Sequence, residues 1–94
     1  MDCREIVFSG HAVRRMFERG IGREAVASVS SGGEVIAEYP DDSAYPSQLG
    51  LGLAPGGPIH VVVGYDSERT RCIVITVYEP GPDRWASDFR TRRK

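Results

Sequence analysis

His11, Arg14, Arg15 and Arg19 stand close together in His11-Ala12-Val13-Arg14-Arg15-Met16-Phe17-Glu18-Arg19, an imidazole beside several guanidinium groups. Set at about 100° per residue, Ala12, Val13, Met16 and Phe17 share one side of a helix, and His11, Arg14, Arg15, Glu18 and Arg19 share the other. The helix dipole and Arg15 one turn on favour a neutral ring at His11. Such a ring among arginines has what RNA cleavage by a 2′-hydroxyl needs. It can accept or donate a proton, the cations stabilise charge on the phosphorane oxygens, and no metal is required. The same residue types also suit a histidine hydrogen-bonded near a helix start for purely structural reasons. Glu18 is expected to pair with Arg14 one turn back.

Further candidates lie downstream. Tyr78 stands beside Glu79 at the end of an apolar run, where a functional residue can leave a sheet or an edge tyrosine can simply pack. The tail Arg84-Trp85-Ala86-Ser87-Asp88-Phe89-Arg90-Thr91-Arg92-Arg93-Lys94 mixes cations with rings, a combination that suits RNA phosphates and bases. Trp85 and Phe89 are equally what a tail uses to dock on its own core. His60 reads as a satisfied core or sheet-face residue. P-loop, dinucleotide-binding and nucleophile-elbow patterns are all missing, and no cofactor is implied.

The elements that must position these groups follow from capping and period. Ser9 can cap the first helix, Phe8 and Val13 can staple it, and Gly20 can end it. Arg23 to Ser30 predicts a second helix with Ala25, Val26 and Val29 inward. Glu34 to Tyr39, Ser47 to Ala54, Ile59 to Tyr65 and Cys72 to Tyr78 predict strands, the last two central. Short connections pair consecutive strands antiparallel. The expected fold is α+β, two N-terminal helices on a four-stranded antiparallel sheet with a basic C-terminal tail, all in one domain over residues 1–94. Ile6 to Phe8 is a short apolar lead-in of a strand residue or two.

Charge is unevenly distributed. Between Glu24 and Glu68 there is no Lys or Arg, and the basic residues crowd both flanks, although the net charge is only −1. If the two ends meet in space they form a basic face, the electrostatic footprint expected for nucleic acid; a solvated helix and a fraying tail are the alternative. The lack of a long apolar run or secretory leader points to a cytoplasmic protein with no membrane partner. Cys3 and Cys72 form no CxxC pair, and Cys72 is expected to be a reduced, buried residue. A zinc site from Cys3, His11, His60 and Cys72 would match no known finger or ribbon spacing.

Several motifs occur in an order that resembles a known family: Phe8-Ser9-Gly10-His11-Ala12, Glu18-Arg19-Gly20-Ile21, Glu38-Tyr39-Pro40-Asp41-Asp42, Tyr45-Pro46-Ser47, His60-Val61-Val62-Val63 and Ile75-Thr76-Val77-Tyr78-Glu79-Pro80, followed by Arg84-Trp85 and Phe89-Arg90. The chain resembles the small bacterial domain-of-unknown-function 4258 family, which lies near the RelE and BrnT ribonuclease toxins. The resemblance implies a RelE-like fold and the toxin half of a type II toxin–antitoxin pair, an endoribonuclease acting on mRNA, including ribosome-bound mRNA. It also implies a cognate antitoxin with a CxxC zinc module and a DNA-binding domain. Chemistry and place in these motifs assign His11 as acid or base and Arg15 and Arg90 as phosphate stabilisers. Arg84 and Tyr78 would position RNA, with Arg14, Arg19, Arg92, Arg93 and Lys94 gripping the backbone. A non-catalytic RNA- or protein-binding module is the alternative.

Overall fold

Two helices cover one face of a five-stranded sheet and the C-terminal segment covers part of the other. In the computed structural model, residues 3–42 and 44–93 are described; Lys94 lies outside them. The elements are β1 (Glu5–Phe8), α1 (Gly10–Arg19), α2 (Arg23–Gly32), β2 (Glu34–Tyr39), β3 (Ser47–Ala54), β4 (Gly57–Asp66) and β5 (Arg71–Tyr78). The sheet order is β1-β5-β4-β3-β2.

This corrects the expected four-stranded antiparallel sheet. The lead-in is a strand in its own right, paired parallel with β5 from Glu5 opposite Arg71 to Phe8 opposite Val74, so the sheet is mixed. A four-residue strand is too short to show a period, and its partner lies at the other end of the chain. Local pattern therefore could not register the pairing.

The α1 boundaries are set as the sequence predicts. Extended Ser9 accepts a hydrogen bond from the Ala12 amide through its side chain, and Gly20 closes the helix at φ 66°. Ser9 also donates its hydroxyl to the Ile75 carbonyl at 2.9 Å, and its amide bonds the Val74 carbonyl at 3.0 Å. The start of α1 is thus moored to β5. Because α1 packs mainly on β5, near the sheet edge, its buried stripe is narrow. Ala12 and Met16 are buried, whereas Val13 and Phe17, expected inside, are 52% and 89% exposed.

α2 lies over β3, whose glycines face it. A Cβ at Gly52 would stand 2.4 Å from Val29 Cγ2, and one at Gly33, just after α2, 2.6 Å from the Val29 carbonyl oxygen. The Leu-Gly alternation of β3 therefore puts its thin side under the helix. The core joins Ala12, Met16, Ile21, Val26 and Val29 to Ile59, Val61, Val63, Cys72, Val74 and Val77. Cys72 is fully buried as expected, but it is not reduced. It forms a disulfide with Cys3, just before β1. No spacing signal announces a bridge between residues so far apart.

One irregularity decides what lies on the other face. The β4–β5 register shifts so that Val63 pairs with Val74 but Val62 pairs with Thr76, stepping over Ile75. Beyond that step Val77 joins Val61 on the helix side, and Tyr78 stands opposite His60 on the far side. Glu34, Leu51, His60 and Tyr78 then form one row across the sheet.

The tail folds along this row as a small hairpin. Trp85 bridges Arg92, the Ala86 amide bonds the Thr91 carbonyl at 2.8 Å, and Asp88 Oδ1 accepts from the Arg90 and Thr91 amides at 2.9 and 3.0 Å. Trp85 is buried, so that aromatic docks on the fold as the docking alternative has it. No helix among the described residues is long and apolar enough to cross a membrane.

Candidate functional site

Arginines from the two ends of the chain meet in one cleft of about 490 Å³. Its walls are Arg15 and Arg19 of α1, Tyr78 and Glu79 at the end of β5, and Gly81, Asp83, Arg84, Trp85 and Arg92 of the tail. Four guanidinium groups face two carboxylates, leaving a net positive site. Each wall follows from local structure. Arg15 and Arg19 are one turn apart on α1. The register step places Tyr78 on the far face, and the Trp85–Arg92 bridge brings Arg84 and Arg92 back over it. Arg15 also lies 3.8 Å from Glu18, which therefore pairs with Arg15 rather than the expected Arg14.

Tyr78 and Trp85 lead from this cleft to a buried histidine. His60 has no exposed surface. Its Nδ1 lies 3.2 Å from the Tyr78 hydroxyl and its Nε2 2.8 Å from the Phe89 carbonyl oxygen. Its ring meets Trp85 edge-on, centroids 4.5 Å apart. Phe89 offers that carbonyl from a left-handed conformation, φ 60°, which a bulky residue seldom adopts. Burial pulls the His60 pKa below the ordinary 6.5, the hydrogen bond to Phe89 opposing it. Burial also pushes the Tyr78 phenol above 10.0, aided by Tyr39 and opposed by Arg92. The imidazole is thus held neutral and the phenol protonated.

The other expected site residues are placed differently. His11 is exposed, and its Nε2 lies 3.0 Å from Thr76 Oγ1. It stands one helical turn before Arg15, outside the cleft lining. Arg90 is turned away, its Nε bonded to Glu34 Oε2 across the sheet. That hydrogen-bonded pairing holds the Glu34 carboxyl below its ordinary value and raises the Arg90 guanidinium above its own. Arg93 donates from Nε to the Trp85 carbonyl at 3.0 Å, stitching the hairpin together. Arg14 is exposed on α1, and Lys94 is outside the described residues. The convergence joins Arg15, Arg19, Tyr78, Arg84 and Arg92. Sequence reasoning missed His60 as their neighbour because a regular hairpin would pair it with Val77; only the step over Ile75 brings Tyr78 opposite.

A second cleft, about 580 Å³, adjoins the first through Arg19 and Glu79 and runs between the α1–α2 link and the β3–β4 turn. Its lining is mostly glycine and small apolar residues, with no histidine or tyrosine.

A family model described as Domain of unknown function (DUF4258) matches residues 8–79. The chain belongs to this family. No curated protein and no solved structure matches it. The DUF4258 match takes in Arg15, Arg19, His60, Tyr78 and Glu79, whereas Arg84, Trp85 and Arg92 lie beyond it. The family's own span supplies one wall of the arginine cleft, and the tail hairpin supplies the other.

Proposed function

We propose that the protein is a metal-independent endoribonuclease that binds single-stranded RNA in the arginine cleft. The observation that carries this reading is the meeting of Arg15, Arg19, Arg84 and Arg92 around Tyr78. Guanidinium groups from separate elements can hold a phosphodiester on more than one side and stabilise the charge that develops when a 2′-hydroxyl attacks it. Tyr78, only partly buried, offers a ring at the same place, which suits an unstacked RNA base rather than a duplex. Cleavage by the neighbouring 2′-hydroxyl uses the substrate's own nucleophile, so proton transfer and cationic stabilisation are the whole requirement.

The biological setting we infer is that of a toxin acting on mRNA, including ribosome-bound mRNA, and neutralised by an antitoxin protein. It extends the expectation raised by the order of the motifs in the sequence, and the growth assay below tests it. Purified protein incubated with single-stranded RNA and a chelator should yield fragments, and Arg84→Ala should lower the rate by about 10²-fold or more. Intact RNA in both free and ribosome-bound assays, with tight binding retained, would leave a non-catalytic RNA-binding module instead. Expression should arrest growth, and the neighbouring gene should relieve the arrest.

A further inference from the structure

His60 has its hydrogen-bonding roles dictated by its partners. The Phe89 carbonyl can only accept, so His60 Nε2 carries the proton in the 2.8 Å bond between them. In the neutral ring Nδ1 is then a bare lone pair, and the Tyr78 hydroxyl at 3.2 Å must donate to it. The ring is held there by Trp85 and has no solvent exposure. Tyr78 belongs to two environments, since it bonds this buried acceptor and also lines the arginine cleft.

We propose that His60 is a positioning residue for catalysis, a proton acceptor behind Tyr78 that lets the tyrosine hydroxyl take the proton of an RNA 2′-hydroxyl bound in the arginine cleft. This rests on the ribonuclease reading above and names the base that reading lacks. In the step, Tyr78 Oη accepts the 2′-hydroxyl proton while its own phenolic proton passes to His60 Nδ1. The 2′-oxygen bonds to phosphorus, and the bond from phosphorus to the 5′-oxygen breaks. That oxygen leaves as an alcohol with a proton from solvent water. The hydroxide so formed recovers the proton stored on His60 by way of Tyr78, and the products are a 2′,3′-cyclic phosphate and a 5′-hydroxyl. Tyr78 never has to exist as a free phenolate, which matters because burial disfavours that anion.

The surroundings suit an uncharged acceptor. Around the His60–Tyr78 pair stand Arg92 from the hairpin and Tyr39 from β2, both acting electrostatically on Tyr78. Glu34 and Arg90, farther along the row, neutralise each other. Among the described residues no carboxylate bonds His60, and burial outweighs the Phe89 carbonyl, the one group there that favours the charged ring.

The test is steady-state cleavage of a short single-stranded RNA in chelator by wild type, Tyr78→Phe, His60→Gln and the double variant, with RNA affinity and a pH profile for each. Each single change should lower kcat by about 10²- to 10⁴-fold with KM nearly unchanged. The double variant should be no slower than the slower single one, because the two groups act as a unit. The wild-type profile should fall on the acid side as His60 protonates, and His60→Gln should lack that fall. Imidazole ¹⁵N shifts of wild-type protein, which need no variant to fold, should show Nε2 protonated and Nδ1 bare. Wild-type cleavage with His60→Gln at full kcat, or a protonated Nδ1, would overturn the relay and spare the ribonuclease. A wild type that binds RNA and never cuts it would overturn both.

Discussion

At the scale of single residues, burial of an imidazole in the middle of a sheet has a consequence for stability that does not depend on catalysis. His60 in the folded chain holds its proton less readily than in the unfolded chain, first because it is desolvated. As pH falls below the ordinary 6.5 the unfolded state takes up a proton that the folded state refuses. Stability present above 6.5 is therefore lost toward the folded-state pKa. Urea melts between pH 7.5 and 5 should show this decline, and His60→Gln should flatten it. Equal slopes in the two proteins would mean that His60 protonates as easily folded as unfolded. The carboxylates Glu34 and Asp88, both held below their ordinary values by hydrogen bonds, act at more acidic pH and leave that window clear. Among the arginines, Arg15, Arg19, Arg84 and Arg92 were legible because basic residues crowd the two ends of the chain and those ends do meet. Arg90 was not: a guanidinium is claimed by whichever carboxylate the fold brings up, and Glu34 is a stranger to Arg90 in sequence.

Elements that carry their own end signals were the readable ones. Ser9 and Gly20 bound α1 where chemistry says they should, and the four strands from Glu34 to Tyr78 appear with their short antiparallel links. What local pattern could not supply was β1, whose partner is remote, and the step in β5, whose cause lies in pairing rather than composition. The width of the α1 stripe was also hidden, since a helix near a sheet edge buries fewer positions than one over its middle. Two substitutions separate these packing regimes. Gly52→Ala drives a Cβ to 2.4 Å from Val29 Cγ2, so α2 must lift off β3 or Val29 must change rotamer. We expect a loss of about 1–3 kcal/mol in urea unfolding. Phe17→Ser, at a side chain 89% exposed, should change stability by no more than about 0.5 kcal/mol. A loss at Phe17 as large as that at Gly52 would show that the outer side of α1 is covered in solution.

Across the whole molecule, the cleft depends on two ends of the chain arriving at the same place, and each end is fastened differently. The C-terminal end is held by the hairpin bonds, by Trp85 against His60 and by Arg90 on Glu34. If four arginines contact phosphates, the logarithm of RNA affinity should fall with the logarithm of salt at a slope of about −2 to −3, and Arg92→Ala should make it shallower by somewhat less than one. A flat response would remove the cleft as the RNA site.

The N-terminal end is held by β1, the Ser9 bonds to β5, and the Cys3–Cys72 bridge across a sequence separation of 69. A bridge closing so long a loop restricts the unfolded chain strongly, worth about 4 kcal/mol on the chain-entropy account. Reductant should lower the urea midpoint of wild type markedly, and Cys3→Ser should match reduced wild type whether or not reductant is present. Because β1 leads directly into α1, loosening it frees the wall that carries Arg15 and Arg19 while leaving the hairpin wall in place. RNA affinity of the reduced protein should therefore weaken at temperatures where the fold still holds, and Arg15→Ala should cost less affinity in reduced than in oxidised protein. A wild-type midpoint indifferent to reductant would show that the bridge does not form in solution, and the mooring of α1 would then fall to Ser9, to β1 and to the packing of Ala12 and Met16 in the core.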